Sequence, residues 1–118
     1  MGNVERAQAY FACVRARDPA GVAAMFAETG RLNMPNGEHL VGRRAIEDYY
    51  KSVFAQTSPN PKVLAVAADG PKCLVELLAH RPDGQAAQVA DVFTFDDAGE
   101  VLELTIYMRS GLVRPAAG

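Results

Sequence analysis

The sequence predicts an α+β fold: three N-terminal helices over the concave face of a curved, mostly antiparallel sheet. Three observations carry this. Apolar residues in the first half recur at helical spacing. From residue 62 onward they alternate or cluster in short runs divided by Asp-Gly and Pro-Asp-Gly turns. Helices gathered ahead of a meander pack on one face of an antiparallel sheet. A strongly curved meander would then form a cone with an apolar mouth, where ligands bind.

The elements follow in order. Val4, Ala7, Phe11 and Val14, with Tyr10 beside them, predict an amphipathic helix over about residues 3–17, with Glu5, Arg6, Arg15 and Arg17 on its wet side. Asp18-Pro19 is a helix-start signal, an N-cap acid followed by proline at the first helical position. The short helix it opens turns Val22, Met25 and Phe26 inward and is expected to end at Gly30. Arg31 to Met34 is strand-like, Pro35-Asn36-Gly37 a turn, and Glu38 to Val41 a brief return strand. Arg43 to Phe54 is helical, with Ile46, Tyr49, Tyr50, Val53 and Phe54 on its apolar side. Strands are expected over Lys62 to Ala68, Lys72 to Arg81, Gln88 to Phe95 and Glu100 to Arg109, the last two joined by the clearest hairpin in the chain. On the final strand, strict alternation puts Leu102, Leu104, Ile106 and Met108 on one face.

Length and composition limit the function. A chain of 118 residues fits one domain spanning 1–118. A net charge of −2 gives no electrostatic footprint for nucleic acid. No apolar run approaches the ~18 residues of a membrane span, and no secretory signal pattern precedes the first helix. Cys13 and Cys73 have no motif spacing and read as small thiols in elements, which suits a reducing cytoplasm. His39 and His80 belong to no metal-ligand motif, so neither metal nor other cofactor is expected.

The anomaly lies in the hairpin. Val89, Asp91, Phe93 and Phe95 share one strand face, so a carboxylate interrupts an apolar row. Burying it ionised is costly, and the usual escape is a raised pKa that keeps it protonated. Asp91 marks the edge of a pocket, a satisfied structural acid, or a strand whose faces are the reverse of this assignment. Candidate walls are Phe11, Val14, Phe26, Met34, Tyr50 and Phe54, joined by Val75, Leu77, Val89, Phe93, Leu104, Ile106 and Met108.

Ala9-Tyr10-Phe11, the run from Asn33 to Gly42-Arg43-Arg44-Ala45-Ile46, and Asp91 to Gly99 resemble the nuclear transport factor 2-like superfamily. Within it, the chain is most similar to the ketosteroid isomerase and SnoaL-like branch. The resemblance implies a steroid isomerase-like activity on a small apolar molecule, steroid-, terpene- or polyketide-like, and a homodimer. It puts Tyr10 and Asp91 at the two donors of an oxyanion hole, Tyr50 at a supporting tyrosine, and Asn33 where the isomerases carry their catalytic aspartate. That superfamily's ketosteroid isomerase is the established example of a carboxylic acid held neutral by an apolar site. An amide cannot accept a proton at neutral pH, so Asn33 replaces the base without supplying its chemistry. Two alternatives stay open: a binding or interaction module without turnover, and an epoxide hydrolase-like or cyclase-like enzyme. The latter rests on Asn33-Met34-Pro35, similar to a run in the limonene epoxide hydrolases; the positions of their aspartate–arginine–aspartate set look here like Glu76, Leu78 and Ile106, which leaves a water holder without an acid–base pair.

Overall fold

The computed structural model describes residues 2–80 and 83–109. Its elements are α1 (Asn3–Arg15), α2 (Pro19–Ala24), β1 (Phe26–Asn33), β2 (His39–Val41) and α3 (Arg43–Gln56), followed by the strands β3 (Pro61–Asp69), β4 (Lys72–His80), β5 (Ala86–Phe95) and β6 (Val101–Met108). The expected strand end at Arg81 and the turn at Pro82 lie outside the described residues. The sheet is curled and unclosed, with the order β2-β1-β6-β5-β4-β3. Every neighbouring pair is antiparallel except β1–β6, which is parallel.

Local chemistry accounts for the helices. α1 buries Ala7, Tyr10, Phe11 and Val14, the stripe that its spacing predicts. Asp18 caps α2 by accepting the Gly21 N–H at 3.0 Å, with Pro19 at the first position. α3 turns Ile46, Tyr50 and Phe54 inward. Its N-cap, Gly42, has φ +94, a left-handed conformation that glycine adopts at no steric cost.

Two expectations fail in instructive ways. The second helix stops at Ala24, and Phe26 already belongs to a strand. The cause is non-local: Phe26 sits in register with Val101, and the Val101 N–H donates to Met25 O at 2.9 Å. Gly30 therefore ends no helix. It lies where β1 and β6 approach so closely that an added Cβ would meet Val101 O at 2.8 Å and Ala27 O at 2.9 Å. Gly30→Ala is expected to destabilise the fold by about 1–3 kcal/mol, as overpacking does, read as a fall in thermal midpoint with an unchanged far-UV spectrum. The second failure is on β6. Thr94 pairs with Glu103 but Phe95 pairs with Val101, so Leu102 is the extra residue of a bulge and lies exposed. Strict alternation is thereby broken, and Val101 and Leu104 carry the buried face.

An ion pair locks this corner. Arg43 donates from Nε to Phe26 O at 2.7 Å and from Nη2 to Glu100 at 2.6 Å, joining α3, β1 and the approach to β6. Inside, Phe26, Leu32, Ile46, Phe93 and Leu104 are fully buried between the helices and the sheet. Cys73 is buried, Cys13 half-buried, and both are free thiols.

Candidate active site

Three polar side chains meet inside the cone. Helix α1 delivers Tyr10, α3 delivers Tyr50 and the centre of β5 delivers Asp91, all three buried. The Tyr10 and Tyr50 hydroxyls share a short hydrogen bond. Edge-on packing fixes their rings: Tyr10 against Phe11 at 5.0 Å and Phe93 at 5.3 Å, Tyr50 against Tyr49 at 5.1 Å. Asp91 is the one acid or base buried among the described residues, and its Oδ1 has no hydrogen-bond partner among them. The bond from a tyrosine to Asp91 that a satisfied structural acid would require at Oδ1 is absent among these residues.

The electrostatics follow from burial. Desolvation pushes the Asp91 carboxyl from its ordinary 3.8 up to about 7. Burial, then the neighbouring Tyr50 and Asp91, hold the Tyr10 hydroxyl well above its usual range. Tyr50 is raised too, chiefly by burial. Both phenols therefore stay protonated at neutral pH and act as donors.

Tyr10, Tyr50 and Asp91 line a cavity of about 220 Å³. Seven further candidate walls line it: Phe11, Val14, Phe54, Leu77, Val89, Ile106 and Met108. The other candidate walls lie elsewhere. Phe26, Phe93 and Leu104 are 0% exposed and Val75 1%, so they are core that backs the site. Met34 is half-buried at the β1–β2 turn, where its N–H donates to Glu38 O at 2.7 Å. Asn33 also stands apart. Its Nδ2 donates at 2.9 Å to Oγ1 of Thr105, its register partner on β6, and neither residue lines the cavity. Glu76 is exposed and lies outside the lining, so the epoxide hydrolase-like set does not assemble there.

Sequence reasoning missed part of the mouth. His80, at the end of β4, is half-buried and lines the cavity, together with Tyr49 and the loop Pro59-Asn60-Pro61. The register Pro61↔Ala79, reached after a shift between Val63 and Ala65, brings that loop to the end of β4.

The profile of the SnoaL-like domain matches residues 7–104. The chain belongs to the SnoaL-like domain family. Among its relatives, a steroid Δ-isomerase of Nocardioides simplex is 31% identical over 113 residues, covering 91% of each chain. An NTF-2-like protein of unknown function from Burkholderia xenovorans LB400 superposes with TM-score 0.80 at 18% identity, over 97% of this chain and 88% of that one. The epoxide hydrolase/cyclase-like enzyme SalBIII, of pyran ring formation in the polyether salinomycin, superposes with TM-score 0.79 at 21% identity, over 92% and 91%. The two superpositions show a shared NTF2-like fold. The SnoaL-like assignment agrees with the resemblance carried by Tyr10, Gly42 to Ile46 and the Asp91 strand.

Proposed function

We propose that this SnoaL-like chain is a ketosteroid isomerase-like pocket protein whose Tyr10 and Asp91 bind the oxygen of an apolar carbonyl or phenol-type ligand. The observation that carries this reading is the unpartnered Oδ1 of Asp91, buried beside the Tyr10–Tyr50 pair at one cavity. A buried polar atom left unsatisfied costs about 1–3 kcal/mol, and a ligand oxygen placed there relieves it. Because Tyr10 and Tyr50 bond to each other, the pair keeps one proton to offer outward. The protonated Asp91 carboxyl supplies the second. Two neutral donors converging in an apolar cavity stabilise the negative charge that develops on oxygen as a carbonyl enolises.

The steroid isomerase relative favours an enolising isomerisation as the reaction class. Asn33 does not supply its base, by chemistry or by position, so activity through that residue would be weak or altered. A binding protein without turnover is the second reading, and the place of Asn33 outside the cavity lining favours it. On the outer sheet face Leu74 and Tyr107 are exposed at 47% and 59%, and support pairing of two copies there.

Calorimetric titration with a naphthol tests the oxygen site. Asp91→Asn keeps a neutral donor and is expected to hold affinity within a few-fold. Asp91→Leu is expected to weaken binding by about 10- to 100-fold, the worth of one or two buried hydrogen bonds. Equal binding by wild type and Asp91→Leu would remove Asp91 from the site.

A further inference from the structure

The cavity mouth carries positive charge fixed by backbone carbonyls. Arg15 Nη2 donates to Pro61 O at 3.0 Å and Arg17 Nη2 to Phe54 O at 2.9 Å. Pro61 and Phe54 both line the inner cavity. Arg17, unlike Arg15, lines a wider outer cleft of about 580 Å³, which shares Phe54, Pro59, Asn60 and His80 with the inner cavity, so the two adjoin. Among the described residues the ion pairs are Arg43–Glu100 and Lys51–Glu47, and neither Arg15 nor Arg17 is in one. Asp18, next in sequence, commits its carboxylate to the start of α2. No described acid lines the outer cleft. This basic rim belongs to a chain of net charge −2, so it is local. Arg17 holds φ 55, uncommon for a residue with a side chain, at the turn that sends its guanidinium back over Phe54.

The two ends of the site are far apart. His80, at the junction of cavity and cleft, lies five residues along β4 from Val75, the register partner of Asp91. At the rise of a strand that is about 16 Å of backbone. The inner cavity, at about 220 Å³, is smaller than the ~300–1,000 Å³ of ordinary ligand sites, so a ligand of ordinary size extends into the cleft.

We propose that the ligand is an amphipathic acid, with its carbonyl or phenol oxygen at Tyr10 and Asp91 and a carboxylate at the outer end received by Arg15 and Arg17. Guanidinium forks match a carboxylate in geometry as well as charge. The inference rests on the inner oxygen site proposed above and adds the outer half.

The test uses the whole chain and three probes at low salt: para-hydroxyphenylhexanoic acid, its methyl ester, and phenylhexanoic acid. The hydroxy acid is expected to bind about ten-fold tighter than its ester, a preference that shrinks as salt rises. Arg15→Gln with Arg17→Gln should bring the ratio near one while ester affinity holds, and the paired Arg→Lys variant should keep part of the preference. Equal binding of acid and ester, or a preference unchanged by the Gln pair, overturns the proposal and leaves the inner site standing wherever the ester binds. Phenylhexanoic acid binding as tightly as its hydroxylated analogue, with the arginine dependence intact, upholds the rim and removes the inner oxygen site. Failure of all three probes to bind overturns both.

Discussion

Wild-type protein is expected to lose about 4 kcal/mol of stability between pH 4 and pH 8 through Asp91 alone, and Asp91→Asn is expected to lose none of it. The carboxyl titrates at about 7 in the folded chain against an ordinary 3.8. Between those values the folded state binds a proton that the unfolded state has released. Stability therefore falls as pH rises through this window, and is level below it and above it. Three pKa units correspond to about 4 kcal/mol at 1.36 kcal/mol each, an upper figure because water reaching the cavity would solvate the charge. Chemical denaturation of both proteins across that range gives the answer. Parallel curves for wild type and Asp91→Asn would mean that the carboxyl titrates in the ordinary carboxylate range, and the neutral-donor role would go with it. The sign separates this acid from a salt-bridged one, whose contribution grows with pH.

Phe93→Ala is expected to cost about 3–5 kcal/mol, the range for truncating a fully buried aromatic. Phe93 is 0% exposed. Its ring lies 5.3 Å from Tyr10, 6.2 Å from Phe11 and 5.8 Å from the stacked Phe95. Removing it takes away the surface against which Tyr10 stands, so ligand affinity should fall along with thermal stability even though Phe93 does not line the cavity. Phe93→Leu, which refills most of the volume, is expected to recover much of the stability and less of the affinity. A variant with wild-type midpoint would show that the cone collapses around the gap.

Much of this was legible in the chain. Alternation on β5 identified Asp91 as an acid in an apolar row, and the buried face of Val89, Asp91, Phe93 and Phe95 agrees with it. Helical spacing put Tyr10 and Tyr50 on inward faces, and Asp18-Pro19 marked the start of α2. What escaped depends on pairing between distant segments. The strand character of Phe26 comes from Val101, the exposure of Leu102 from a bulge opposite Thr94 and Phe95, and the mouth position of His80 from the loop before β3. Asn33 shows the same limit: counting along a motif gives a place in sequence, whereas the bond to Thr105 gives the place in space. Arg15 and Arg17 read as the wet side of a helix, and only the loop folding back beneath them makes a rim.

The parallel seam between β1 and β6 bears on the order of assembly. Leu32 and Leu104, register partners within it, are separated by most of the chain. Closing so long a loop carries an entropic cost before any contact repays it. The antiparallel run from β3 to β6 joins neighbours in sequence and can zip from its turns. On that account the meander that holds Asp91 organises early, while the wall made by β1 and α3 docks late. During synthesis, a nascent chain whose β6 is still inside the ribosome has β2 but no second neighbour for β1, and so leaves the edge that Phe26 shares with Val101 uncovered. The step that joins β1 to β6 is then also the step that buries Phe26 and Leu32 behind the pocket.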